Sequence, residues 1–165
     1  MLGAAGNEWT SARRDTRAAQ LQQESRDADR ATRLRDRRDT FELDVLTRTI
    51  TALGDLGRAS GRAHHQDSMV AKQTGKYASH LLGDDVSDQL MTAARGLYDV
   101  EGLILDDTIR QAVVDAHAAI TAPSMRLDSD PDEALRVFNV AAQQLFAAQA
   151  LVSERIREIY ANEGG

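Results

Sequence analysis

The chain has 165 residues, of which 42% are hydrophobic and only 4% aromatic, with two prolines and no cysteine. This length suits one domain with a substantial core, and the lack of cysteine excludes disulfides and thiolate metal sites. No apolar run reaches the roughly 18 residues of a membrane-spanning helix, and the composition favours helices over a β-sandwich or barrel.

The net charge of −6 is unevenly distributed along the chain. Residues 1–40 carry nine Arg and seven acidic residues, a balance of +2, whereas residues 41–165 carry eleven basic and nineteen acidic residues, a balance of −8. A weakly basic segment joined to an acidic one favours head-to-tail association or contact with an anionic surface. Both fields are modest and are screened within about 8 Å at physiological salt.

The first predicted element is a long helix, because residues 7–53 contain neither Gly nor Pro. Between residues 10 and 40, only Leu21 and Leu34 are apolar and larger than Ala. Residues 1–40 are therefore predicted to form an exposed helical arm, which opposite charges three or four residues apart stabilise. The predicted ion pairs are Asp29 with Arg33, Arg35 with Asp39, Asp27 with Arg30, and Arg33 with Asp36.

The character of the predicted helix changes at Phe41. The apolar residues at positions 43, 46, 50 and 53 have the spacing of a helix face that packs on a core. The same face carries Asp39 and Asp36 before Phe41, which disfavours a coiled coil along the arm. Gly54, Gly57 and Gly61 predict a helix end or a hinge, and residues 62–82 show a weaker helical pattern that includes Tyr77 and Leu81.

Three more helices are predicted after a stop at Gly83. Asp84 or Asp85 caps the first of them, which carries apolar residues at helical spacing. The second begins at Asp106 or Asp107, and Pro123 ends it.

The last predicted helix has the clearest start. Asp130 stands at the cap, Pro131 at the first helical position and Glu133 at the third, as in a capping box. Its apolar residues continue to Tyr160, over about 30 residues. The elements add up to an all-α, up-and-down bundle of four or five helices over residues 41–165, with a long protruding N-terminal helix over residues 1–40.

Four histidines, His64, His65, His80 and His117, are the first candidates for a metal site. The chain has neither the Glu-x-x-His motif of di-iron bundles nor an HExxH motif. His64 and His65 follow the glycines and are predicted to be solvated hinge residues. His117 lies between Ala residues and is predicted to be hydrogen-bonded and partly buried.

Alternating acids at Asp128, Asp130 and Asp132 resemble the start of a calcium loop. Such a loop needs Gly at its sixth position and Glu at its twelfth, where this chain has Glu133 and Asn139. We therefore assign these acids to helix capping. No paired catalytic groups stand out either, so the sequence predicts no metal, no cofactor and no enzymatic activity.

An Arg cluster in the arm is the strongest candidate for contact with a partner. Acidic residues alternate with the arginines, and no aromatic residue lies between Trp9 and Phe41, which favours a solvated, salt-bridged helix over a nucleic-acid helix. Trp9 itself suits a water–membrane interface. The candidate partner-binding residues are Trp9, Leu21, Arg26, Arg30, Arg33, Leu34, Arg37 and Arg38.

The chain resembles a group of actinobacterial proteins in which a membrane anchor precedes an Arg-rich juxtamembrane helix and a small helical bundle. The resemblance rests on Trp9, the Arg-rich residues 13–38, the Phe41–Leu53 apolar face, residues 96–120 and the capped start at residues 130–138. It implies a bundle fold and a place beside a membrane, and no catalytic residues. The chain begins with MLGAAG in place of the anchor, so the resemblance implies a truncated or alternative start.

The leading hypothesis is a non-enzymatic helical interaction or scaffold module. Its arm spaces the bundle from a protein partner or a second copy, or docks it there, in the cytoplasm or at the cytoplasmic side of a membrane. One alternative is a small-ligand sensor built around Tyr77, His117, Gln149 and Leu103–Leu105, since buried polar groups need partners. Another is binding of nucleic acid or an anionic surface through the arm, with affinity that falls steeply with salt; the alternating acids disfavour nucleic acid.

Overall fold

A computed structural model describes residues 5–125 and 129–162, and within them the side chains of Arg17, residues 19–123 and residues 129–161. This part of the chain contains four α-helices, one 3₁₀ helix and no β-strand. The helices are α1 (Ala5–Thr74), α2 (Asp84–Glu101), α3 (Asp107–Thr121), the 3₁₀ helix (Ala122–Met125) and α4 (Pro131–Asn162). The predicted all-α bundle with a long N-terminal helix is confirmed.

Contacts divide the chain into two compact units, Met1–Phe41 and Glu42–Gly165. In the first unit every residue from Ala19 to Arg38 is exposed, on all sides of the helix. In the second unit the same helix buries one side, which begins with Glu42 and continues with Val45 and Leu46, each of the latter two 1% exposed. Residues 19–38 therefore contribute no side chain to a hydrophobic core.

The predicted helix end at Gly54–Gly61 is wrong, because α1 continues through all three glycines to Thr74. Packing on the other helices outweighs the helix penalty of each Gly, which is about 1 kcal/mol. Gly57 also faces α4, where a Cβ atom would lie 2.7 Å from Cδ2 of Leu145. The buried neighbours that hold this part of α1 are Leu53, Leu56, Ala59 and Ala63.

α1 ends at Thr74, and Gly75 directly after it has a positive φ of 74°. Its N–H donates to the carbonyl of Ala71 at 2.8 Å, and this left-handed helix cap favours Gly. Residues 75–83 are not helical, so the predicted helix over residues 62–82 is correct only as far as Thr74.

The segment between α1 and α2 is fixed by Tyr77. Its backbone N–H donates to the carbonyl of Ser129 at 2.9 Å. Tyr77 is buried, in a small cluster of its own with Ala71, Ala78 and Ala134. Leu81, predicted as part of an apolar helix face, is instead 95% exposed.

The starts of α3 and α4 are capped as predicted. Asp106 accepts two backbone N–H groups of the first turn of α3 at 2.8 and 2.9 Å. Asp130 accepts two of the first turn of α4, both at 3.0 Å. The predicted capping box is wrong at Glu133, which binds the guanidinium of Arg136 instead. The predicted Asp cap of α2 is also wrong, since Gly83 occupies the cap without a side-chain bond.

One face of each helix builds the core of the second unit. The apolar spacing predicted for α1 and for the three later helices corresponds to these buried faces. Their most buried members include Leu46 and Leu53 of α1, Leu97 and Val100 of α2, Val113 and Ile120 of α3, and Leu145, Val152 and Ile159 of α4.

α1 runs antiparallel to α4 and to α2. Residue numbers rise along α1 while those of its contacts fall along α4, as expected for an up-and-down bundle. On the other side of α1, Arg62 meets Gln89 in α2, and Gln66 lies closer to the start of α2, beside Gly83. The contacts between α1 and α4 include Glu42–Arg155, Gly57–Leu145 and His64–Phe138.

Candidate functional site

Four of the predicted partner-binding residues lie on one face of α1. Since an α-helix turns by about 100° per residue, positions i, i+4, i+7 and i+11 fall within a narrow arc. Leu34 and Asp29 border this arc, and with the arginines they line a shallow depression along the helix. We call the four arginines the Arg row: Arg26, Arg30, Arg33 and Arg37.

The other predicted partner-binding residues do not belong to the Arg row. Leu21 and Arg38 lie on other sides of α1. Leu21 and Leu34 are 61% and 57% exposed, which is unusual for Leu and leaves both available for contact. The side chain of Trp9 lies outside the described residues.

The predicted ion pairs of the arm do not form. Among the described side chains of residues 17–41 there is no ion pair, and the first pair along the described chain joins Arg48 to Asp44 at 3.7 Å. The Gln23 amide, by contrast, donates to Asp27 at 3.2 Å. The predicted ion pairs of the arm are exposed, and exposed charges gain little free energy from pairing in water. The guanidinium groups of the Arg row therefore have no carboxylate partner among the described side chains of their unit.

A groove of about 690 Å³ lies between α1 and α2 in the second unit. A shallower groove of about 400 Å³ continues it towards Thr47 and Val100, and the two share Ala52, Asp55 and Gly96. We call them together the α1–α2 groove. Its floor is formed by small residues of both helices, namely Ala52, Ala59, Ala93 and Gly96.

The charges along the α1–α2 groove differ between its two walls. On the α1 wall, Arg58 pairs with Asp55 and Arg62 donates to the amide oxygen of Gln89. On the α2 wall, Asp88 and Asp99 form no ion pair or hydrogen bond among the described residues. The α2 wall therefore presents two carboxylates that are open to an external cation.

Sequence reasoning did not find this groove. Neither Ala93 nor Gly96 alone indicates a groove. The signal was the repeated use of small residues, but it becomes meaningful only when α1 and α2 are known to be neighbours.

His64 is not the solvated hinge residue that its sequence context predicted. Its Nδ1 lies 2.8 Å from the Tyr77 hydroxyl, and its ring stacks on Phe138 with 4.1 Å between centroids and 2° between planes. Burial lowers the pKa of His64, and the neighbouring charge of His65 lowers it further. His64 thus joins α1, α4 and the segment before α2.

A buried carboxylate accompanies this cluster. Asp67 is only 4% exposed, and burial raises the pKa of its carboxyl. Burial also raises the pKa of the Tyr77 phenol, and the charge of Asp67 adds to that effect. Both pKa shifts favour the neutral forms of His64 and Tyr77.

The side chains named for a small-ligand sensor do not share one site. Tyr77 lies in the small cluster with Ala71, whereas Ile104 belongs to the main core. His117 is hydrogen-bonded to Glu101 at 3.0 Å and partly buried, which confirms the prediction for this residue. Leu103 and Leu105 are each 41% exposed.

Among the side chains that the structure describes, no three His, Asp or Glu lie close enough to share a metal ion. Of the acids in the rejected calcium motif, Asp130 caps α4 and Asp128 lies outside the described residues. None of the described helices is long and apolar enough to cross a membrane.

The fold and these surfaces define an all-α helical bundle with two candidate contact sites, the Arg row and the α1–α2 groove. Comparisons of the chain with protein-family models, curated proteins and solved structures returned no match. The resemblance to actinobacterial anchored bundles stays a prediction.

Proposed function

We propose that the protein is a non-enzymatic helical interaction module whose arm docks or spaces the bundle relative to a protein partner. The observation that carries the proposal is the exposure of every residue from Ala19 to Arg38. A helix without core contacts is marginally stable in water, and a polar helix of this kind usually bridges or binds something else. A contact with another molecule gives this part of α1 a role that the core does not.

The Arg row supplies the chemistry of the proposed contact. Each guanidinium offers five N–H donors in a fixed plane, which suits carboxylates on a partner surface. Leu34 beside the row adds an apolar contact at its edge. The expected partner surface is therefore acidic, with room for one aliphatic side chain.

The proposal is tested with the full chain and two variants of equal charge. One replaces three members of the Arg row by R26S/R33S/R37S, and the control replaces three arginines on other sides of the helix by R17S/R35S/R38S. Light scattering after size-exclusion chromatography, and crosslinking with mass spectrometry, measure complex formation. We expect the full chain and the control variant to form a complex with a protein partner, and the row variant to lose this complex. A chain that stays monomeric and crosslinks to no protein would refute the proposal.

A second candidate function is binding of the Arg row to an anionic lipid surface, because its guanidinium groups pair with no carboxylate in the part of the arm whose side chains are described. Each Arg near such a surface contributes about 1 kcal/mol. Sedimentation with phosphatidylserine vesicles, compared with phosphatidylcholine vesicles, tests it. Binding that requires phosphatidylserine, falls with salt and is lost in the row variant would support this function over a protein partner.

A further inference from the structure

We propose that the partner of the Arg row is a second copy of this protein, whose α1–α2 groove receives the row. The inference rests on the proposed function, since it names the occupant of the contact that the arm makes. The Arg row of one molecule would contact the α1–α2 groove of another molecule.

The shape of the α1–α2 groove suits a helix. Its floor of Ala52, Ala59, Ala93 and Gly96 carries side chains no larger than a methyl group. Small residues let another helix approach closely, and a long shallow groove is a common way to bind one. The exposed Leu34 of the arm is the side chain that such a floor can accept.

The charges of the two surfaces are complementary. The four cations of the Arg row and the carboxylates of Asp88 and Asp99 on the α2 wall form no ion pair with any side chain that the structure describes. In the opposite sense, Asp29 borders the Arg row. The α1 wall carries three cations, of which Arg48 and Arg58 are paired with Asp44 and Asp55, and Arg62 donates to Gln89. The same polarity holds more widely, because residues 1–40 have a balance of +2 and residues 41–165 of −8.

The spacing of the charges also agrees. Arg26 and Arg37 are eleven residues apart on α1, and Asp88 and Asp99 are eleven residues apart on α2. At 1.5 Å per residue each pair spans about 16 Å along its helix. A row lying along the groove can therefore place one Arg against each Asp in either direction.

A charge exchange in the full chain tests the proposal. R26D/R37D reverses both ends of the row, and D88R/D99R reverses the α2 wall. Sedimentation velocity at low salt measures self-association. We expect each variant alone to associate at least about tenfold more weakly than the unchanged chain, because like charges then face each other. An equimolar mixture of the two variants should associate again, because each row then faces a groove of opposite charge.

Matched controls separate this contact from the effect of net charge. R17D/R35D changes the same charge on the opposite side of the arm, and D115R/E154R changes it on exposed positions of α3 and α4. Both controls should associate like the unchanged chain, and circular dichroism should show equal helicity for all variants. Failure of the mixture to associate, or equal weakening by the controls, overturns the inference.

The outcome also distinguishes this inference from the proposed function. If the full chain is monomeric in sedimentation yet crosslinks to another protein through the Arg row, the second copy is excluded and the interaction module stands. Binding to phosphatidylserine vesicles with no self-association likewise excludes the second copy.

Discussion

Glu42 is an acidic residue within the buried face of α1, and it depends on a single cation. Its carboxylate is 4% exposed and accepts two hydrogen bonds from Arg155, at 2.6 and 3.2 Å. Hydrogen bonds to Glu42 and then to Glu158 raise the pKa of Arg155, so this guanidinium stays charged. A fork-shaped pair of this kind satisfies a buried carboxylate that water cannot reach.

Replacing Arg155 by Ala should lower the free energy of unfolding by about 3 kcal/mol, because it leaves the buried charge of Glu42 without a partner. Urea denaturation followed by circular dichroism measures the change. R157A removes an exposed Arg of the same helix and should change stability by less than about 0.5 kcal/mol. If R155A and R157A lower the free energy of unfolding equally, the Glu42–Arg155 pair does not stabilise the protein more than an exposed Arg does.

His64 should make the stability of the second unit depend on pH. Its pKa is lowered from 6.5 on folding, so the unfolded chain takes up protons first as the pH falls. The stability from neutral His64 is therefore complete above pH 6.5 and is lost progressively below that pH, towards the lowered pKa. H64Q retains an acceptor for Tyr77 but does not titrate.

Thermal melts of the wild type and H64Q between pH 7.5 and 5 should therefore show the wild type losing its advantage as the pH falls. The exposed His65 provides the control. H65Q should leave the pH dependence of stability unchanged, apart from the small effect of the His65 charge on the pKa of His64. A constant difference between wild type and H64Q across this range would contradict the assigned pKa direction.

At the scale of elements, α1 shows how packing overrides a local signal. Three glycines in eight residues ordinarily end a helix, yet the helix passes through them because its neighbours are buried. The three sites differ in what surrounds them. A Cβ atom at Gly61 would meet nothing within 4 Å, whereas one at Gly57 would lie 2.7 Å from Leu145.

These surroundings predict opposite outcomes for two equivalent substitutions. G61A should stabilise the protein by about 0.5–1 kcal/mol through the higher helix propensity of Ala. G57A gains the same propensity but must displace Leu145, so it should be less stabilising than G61A or destabilising. Urea denaturation compares the two. Equal gains would mean that Leu145 moves away freely.

The element boundaries that could be predicted are those with local causes. Asp106 and Asp130 accept hydrogen bonds from the next few residues, so short sequence patterns were enough to place the starts of α3 and α4. The apolar spacing around Leu46 and Leu97 likewise placed buried faces.

The features that could not be predicted depend on distant partners. Glu42 and Arg155 are 113 residues apart, and the ring that stacks on His64 belongs to Phe138. The α1–α2 groove needs two helices to be neighbours before its small residues have meaning. The Arg row is intermediate: its residues were named from the sequence, but the ion pairs predicted around it do not form.

At the scale of the molecule, the two units should differ in local stability. Residues 19–38 are exposed and pack on no core, whereas residues 45–71 include many buried positions. Amide hydrogen exchange should therefore be fast in the first region and slow in the second, since isolated helices open easily. Mass spectrometry of peptic peptides measures both regions in one experiment.

Protein concentration provides the control for this prediction. If a second copy covers the arm, exchange over residues 19–38 should slow as the concentration rises, while residues 45–71 should not change. Slow exchange over residues 19–38 in dilute solution would contradict the expected difference between the two units.

The pairing of Glu42 with Arg155 also has a consequence for biosynthesis. The core face of α1 is translated before α4, which covers it. In a nascent chain, the apolar face of α1 therefore stays exposed until α4 has left the ribosome as far as Ile159. Slow translation or a premature stop before that point leaves a species prone to aggregation, which cellular chaperones must shield.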